Sequence, residues 1–254
     1  MSDTLRPGAI IAATLAVIII NALANILPIN GQTTGEISDR IRVYFTPAGY
    51  VFSIWGVIYL GLIAYTVFQA LPMNRDNLTL QSIAPYYLLA SAANIVWILL
   101  WHYERFPLTP VVMIILLGAL IMIYLRLDIG GAAVSAGLRW AVHVPFSIYL
   151  GWITVATIAN LTAVLWLANW DGFGIGPETW TAIVLAVAVI IAGAVALSRA
   201  DVAYGLVLVW AFAGIYAKHA DVPTVGTSAL VAAVLVGLLV VVSLLPGGPL
   251  PLKR

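Results

Sequence analysis

No cysteine occurs among the 254 residues, which excludes disulfides, thiolate zinc sites and iron–sulfur clusters and leaves the redox compartment unmarked. Charge is nearly as scarce. Asp, Glu, Lys and Arg make up 8% of the chain, against roughly 25% in an ordinary soluble domain. The 11 basic and 10 acidic side chains leave a net charge of +1, without any basic tract, so nucleic-acid binding has no electrostatic footprint. A nucleophile–base pair, a phosphate loop and a metal-ligand spacing are missing too. Classical catalysis is not expected, and neither a catalytic residue nor a metal site is assigned.

Apolar residues are abundant: 63% of the chain, with a mean hydropathy of +1.07. More than half of a soluble fold's surface faces water, and a chain of this size cannot hide so much apolar surface there. The sequence is that of an integral membrane protein. Its apolar segments run close to 20 residues rather than about ten with alternation, which indicates helices and not a barrel. Eight spans are expected: Gly8–Leu27, Gly49–Leu71, Pro85–Tyr103, Thr109–Leu125, Ala141–Leu167, Trp180–Leu197, Val202–Ala217 and Ser228–Leu245. Breakers separate them at Pro28, Pro47, Pro72, Pro107, Gly130-Gly131, Gly172 to Pro177, Pro223 and Pro246. Only the connection from Pro28 to Ala48 is long, and no soluble domain fits anywhere. Ala22-Leu23-Ala24 mimics a signal-peptide cleavage site, but the apolar run is long and its basic flank is a lone Arg6, so the first span is read as retained.

Charges cluster at span ends. Arg6, Arg75, Arg126, Arg139, Arg199, Lys253 and Arg254 lie on the N-terminal side; Arg40, Arg42, Arg105 and Lys218 lie opposite. That bias places both termini in the cytoplasm of a multi-pass protein, expected in the cell membrane. No acidic residue lies mid-span, which disfavours ion-coupled transport. Lys218 sits at a span end and reads as a lysine snorkelling to the headgroups, without the counter-ion a retinal Schiff base needs. His102 and His143 read as helix-end histidines bonded to carbonyls, ahead of a haem ligand or proton relay. The polar residues inside the spans are neutral amides: Asn21, Asn25, Gln69, Asn94 and Asn160. Each either bonds a neighbouring helix or lines a cavity.

Of the nine tryptophans, Trp140, Trp166, Trp170 and Trp180 flank span ends and suit an interfacial belt. Trp55, Trp97 and Trp152 lie deeper. Phe52, Trp55 and Tyr59 recur at helical spacing on the second span, Asn94, Trp97 and Trp101 on the third, and Trp152, Ala156 and Asn160 on the fifth. Each trio occupies one helix face. The three faces either line one pocket or pack as aromatic seams, two arrangements that spacing alone does not separate.

Pro47-Ala-Gly-Tyr-Val-Phe-Ser-Ile-Trp55-Gly-Val-Ile-Tyr59 resembles the second-helix signature of the TspO/MBR family, the tryptophan-rich sensory proteins related to the mitochondrial translocator protein or peripheral benzodiazepine receptor. Asn94-Ile-Val-Trp97 is similar to the N-x-x-W of that family's third helix. Ile148-Tyr-Leu-Gly-Trp152, with Ala156 and Asn160, resembles its fifth-helix motif. The resemblance covers about residues 8 to 168. The chain departs from the pattern at Ala48, Tyr50 and Ile148, keeps the third helix's closing aromatic pair only in part as Leu100-Trp101, and adds three helices that short members lack.

The resemblance implies a five-helix core over residues 1–170, a three-helix extension over 171–254, and a pocket capped by the loop Ile29 to Thr46. In that loop Asn30, Thr33, Thr34, Glu36, Asp39, Arg40 and Arg42 could close over a ligand, or form a solvated surface. It further implies a receptor or sensor for a flat hydrophobic molecule, a tetrapyrrole such as protoporphyrin IX or haem, or a sterol. No cofactor is required, although a bound tetrapyrrole is possible. The expected ligand residues are Phe52, Trp55, Tyr59, Asn94, Trp97, Trp101, Trp152, Ala156 and Asn160, binding by stacking rather than iron coordination. Light-dependent porphyrin breakdown, with Trp55 and Trp152 taking part, is the alternative, followed by a transport-modulating or structural membrane subunit. In the last three helices Ala188, Ala192 and Ala196, and again Ala229, Ala233 and Gly237, form small-residue stripes suited to close packing inside the chain or in a homo-oligomer.

Overall fold

The computed structural model describes residues 5–131 and 133–245. The breaker Pro246 and the basic residues Lys253 and Arg254 lie outside the described residues. Among the described residues, eight helices are long and apolar enough to cross a membrane: α1 Leu5–Ile26, α3 Gly49–Ala70, α4 Leu78–His102, α5 Phe106–Arg126, α6 Ala136–Leu167, α7 Pro177–Arg199, α8 Val202–His219 and α9 Pro223–Ser243. A short helix, α2 Thr34–Arg40, lies in the long connection.

Several boundaries differ from the sequence reading for identifiable reasons. Pro85 does not open the third span but sits inside α4, which starts seven residues earlier because Asn77 caps the backbone N–H groups of Thr79 and Leu80. Pro177 and Pro223 are not breakers outside their helices; they occupy the first turn, where the missing N–H is not needed. Arg139–His143 forms a π turn that carries α6 back to Ala136. The 29–46 segment is partly helical, because Thr33 and Glu36 form a reciprocal capping box that starts α2.

α1 packs on α3 and α4, α5 joins α4 to α6, and α6 packs in turn on α3. Polar seams tie these helices together. Asn21 Nδ2 donates to Asn94 Oδ1 at 2.7 Å, and Asn94 Nδ2 donates to the Tyr149 hydroxyl at 3.1 Å, linking α1, α4 and α6. Two turns closer to the N-terminal face, the Thr14 hydroxyl meets those of Thr66 and Tyr87 at 2.7 and 2.6 Å. In hydrocarbon such groups need partners, and each finds one across a helix boundary.

The last three helices join this bundle through α8, which packs on α6, while α9 packs on both α7 and α8. Close approach here depends on glycine. A Cβ at Gly214 would collide with Val51, and one at Gly205 would collide with Val240. Trp210 Nε1 donates to the Val51 carbonyl at 3.1 Å. Outward faces carry bare aliphatics such as Leu60, Ile114 and Ile190, the arrangement a lipid solvent favours.

Candidate functional site

The three aromatic faces converge. The Trp152 ring meets Phe52 at 5.7 Å and Trp55 at 6.1 Å between centroids, both edge-to-face. Trp97 and Trp101 stack at 5.5 Å, and Phe106 closes on Trp101 at 5.2 Å. Phe52, Trp55, Trp97, Trp101 and Trp152 wall one cavity of about 70 Å³ between α3, α4, α5 and α6, with Met113 as the α5 contribution. On α6 the small residues Ala156, Ala159 and Ala163 leave the space that the indoles surround.

Seven of the nine expected positions therefore share one cavity: Phe52, Trp55, Trp97, Trp101, Trp152, Ala156 and Asn160. Tyr59 is not in its wall; it stacks behind Trp55 at 5.8 Å. Asn94 is not in the wall either and serves the interhelical seam. Asn160 does both, accepting the Thr109 hydroxyl at 3.0 Å while facing the cavity.

Four polar groups of the wall have no partner. The indole N–H groups of Trp97, Trp101 and Trp152, and the Asn160 amide nitrogen, are buried without a hydrogen-bond partner. All four are donors, held within the residues that wall the cavity. A buried donor left unpaired costs about 1–3 kcal/mol, which an acceptor-bearing guest would relieve.

α2 forms the roof. Thr34, Ser38 and Ile41 face the cavity, joined by Thr46 and Pro47. Ser38, Ile41 and Thr46 were not expected from the sequence; the Thr33–Glu36 capping box was the available signal. The roof is tied down on one side to the end of α4. Asn30 Nδ2 donates to the His102 carbonyl at 3.0 Å, and Arg40 pairs with Glu104 at 2.6 Å. On the other side Lys218 pairs with Asp39 at 3.5 Å, Tyr44 donates to Glu178 at 3.1 Å, and the Ala48 N–H donates to the Gly214 carbonyl at 3.1 Å. Lys218 is thus engaged with the roof as well as placed at a span end.

The two histidines differ. His102 is fully buried, with Nδ1 2.8 Å from the Ile98 carbonyl. His143, expected to bond a carbonyl, instead has its Nε2 buried without a partner, because the π turn sets it facing a separate groove beside α8.

Arg40, followed by Gln32, holds the Glu104 carboxyl below its ordinary range, so the pair persists at neutral pH and is lost as pH falls through that lowered value. Glu104→Gln is expected to loosen the roof. Because the pair is solvent-exposed, the effect is small, about a two- to fivefold rise in acrylamide quenching rate at the cavity tryptophans. High salt should mimic it in the wild type and add less in the variant, where only the Lys218–Asp39 pair is left to screen.

The fold and cavity define a multi-pass integral membrane protein whose spanning helices enclose an aromatic chamber. The chain belongs to the TSPO-like protein family, which matches residues 8–242. That match takes in all eight spanning helices, beyond the five on which the sequence motifs lie. No curated protein and no solved structure matches it. Family membership indicates a membrane protein of the sensor or receptor kind.

Proposed function

We propose that the protein is a membrane receptor or sensor that holds a flat hydrophobic ligand bearing hydrogen-bond acceptors in the chamber beneath α2. The observation that supports this reading is the set of four unpaired donors, on Trp97, Trp101, Trp152 and Asn160, among the residues of a largely aromatic wall. Indole faces stack on flat apolar bodies at low entropic cost, and the donors would orient carbonyl or carboxylate groups. A tetrapyrrole such as protoporphyrin IX has both features; a sterol-like molecule has the apolar body with a single polar end. The chamber wall contains no histidine, which favours stacking over iron coordination. The closed chamber, about 70 Å³, is well below the about 300–1,000 Å³ of small-molecule sites. Binding therefore involves displacement of α2 and rotation of the indoles.

The first five spans carry the ligand chamber in this reading, and the last three buttress it. We assign both termini to the cytoplasmic side of the cell membrane, from Arg6, Arg75, Arg126, Arg139 and Arg199 at one end against Arg40, Arg42, Arg105 and Lys218 at the other.

Protoporphyrin IX titrated in the dark into detergent-purified protein should quench tryptophan fluorescence saturably. Trp55→Phe and Trp152→Phe should each weaken the apparent affinity by about tenfold, the equivalent of one aromatic contact. Saturation with unchanged affinity in both variants would remove the chamber from the reading, and a lack of saturation would remove the ligand class. Bleaching to a discrete product on illumination would transfer the assignment to light-dependent breakdown.

A further inference from the structure

A second and larger hollow lies outside the chamber. A groove of about 920 Å³ runs between α3, α6 and α8, floored at the N-terminal face by the turn joining α5 to α6. Its size falls within the about 300–1,000 Å³ of small-molecule sites. From Arg139 to Ile148 it follows α6 for about 14 Å at 1.5 Å per residue, close to half of the roughly 30 Å hydrocarbon thickness. Its length is therefore that of one leaflet.

The two ends differ in chemistry. The inner end is apolar, bounded by Ile54, Val57, Leu206 and Trp210. Val57 and Leu206 are more than half exposed, so the wall is open to lipid along its side. The outer end gathers Arg139, His143, Arg199 and Asp201. Two of these charges are already engaged. Arg199 pairs with Asp128 at 2.7 Å, and the Asp201 carboxylate accepts the Ser147 hydroxyl at 2.6 Å and the Tyr204 N–H at 3.1 Å. Arg139 makes no ion pair among the described residues. His143, 7% exposed, lines the same end with its Nε2 unpartnered. Both stand on the π turn of α6, a distortion that recurs at functional sites.

We propose that this groove is a binding site for an acidic phospholipid of the leaflet on the N-terminal side. The phosphate sits at Arg139, within reach of His143, and one acyl chain lies along α8 toward Trp210. Charge and length together select this occupant. The free guanidinium recognises the phosphate, and the apolar wall ends where a leaflet's chains end. The site needs both halves of the chain, since α3 and α6 supply one wall and α8 the other. It is independent of the chamber and shares none of its lining residues.

The test uses full-length protein in phosphatidylcholine vesicles containing a fixed fraction of brominated lipid, presented as either phosphatidylglycerol or phosphatidylcholine. Bromine quenches tryptophan on contact, and Trp140 and Trp210 line the groove. Brominated phosphatidylglycerol should quench in excess of brominated phosphatidylcholine, and Trp210→Phe should remove much of that excess. Arg139→Gln, at an exposed and unpaired position, should reduce the preference by about fivefold without altering the fold. Equal quenching by the two lipids, or an excess undiminished in Arg139→Gln, would overturn the proposal. An excess seen only with 9,10-dibromostearate would overturn it as well, assigning the groove to a free fatty acid. Trp55→Phe should leave the lipid preference intact, so failure here and failure of the chamber reading are told apart.

Discussion

Trp152→Ala should destabilise the protein by about 3–5 kcal/mol, the range for removing a large aromatic from a packed interior. Trp152 is 2% exposed and its ring contacts both Phe52 and Trp55. In a bilayer the loss is one of packing more than of water exclusion, because lipid tails are as apolar as the ring's neighbours. Thermal unfolding in mild detergent measures it. Trp166, 45% exposed near the end of the same helix, provides the contrast, and Trp166→Ala should stay within about 0.5 kcal/mol. Similar losses in the two variants would mean that the indole cluster is not a packing centre. The Trp152 variant should also enlarge the chamber, so a small apolar fluorophore that the wild type rejects should partition into it.

Asp201→Ala should cost about 2–5 kcal/mol. The side chain is 7% exposed and does two things at once. Its Oδ1 caps α8 by accepting the Tyr204 N–H, and its Oδ2 accepts the Ser147 hydroxyl from α6. Loss of a cap accounts for about 0.5–2 kcal/mol, and loss of a hydrogen bond to a charged group for about 1.5–3 kcal/mol. Asp201→Asn keeps one acceptor and should lose roughly half as much. A double-mutant cycle with Ser147→Ala isolates the interhelical part, where a coupling below about 0.5 kcal/mol would show that only the cap matters.

The membrane architecture was legible from composition and run length, and the cavity wall was half legible. Phe52 and Trp55, Trp97 and Trp101, and Trp152 with Ala156 and Asn160 each lie on one face of one helix, a local property that periodicity reports. Their meeting is not local. It depends on how α3, α4 and α6 cross, and the same periodicity put Tyr59 and Asn94 on those faces although one packs behind Trp55 and the other bonds across a seam. Met113 went unnoticed because nothing polar or aromatic marks it among the aliphatics of α5. The roof was half legible: the family resemblance pointed to the loop Ile29 to Thr46 as the cap, but a loop rich in Thr, Gly and charge reads equally as solvated, and only the Thr33–Glu36 pair signals a helix start. The groove beside α8 was out of reach, since its walls come from residues about 150 positions apart in the chain.

The fastenings of α2 reach in two directions, to Glu104 beyond α4 and to Asp39's partner on α8, with Gly214 close behind. A guest too large for the shut chamber has to release at least one of them. If the fastenings released are those on α8, the arrival of the guest proposed above would be felt mechanically by α8, a helix that contributes nothing to the chamber wall.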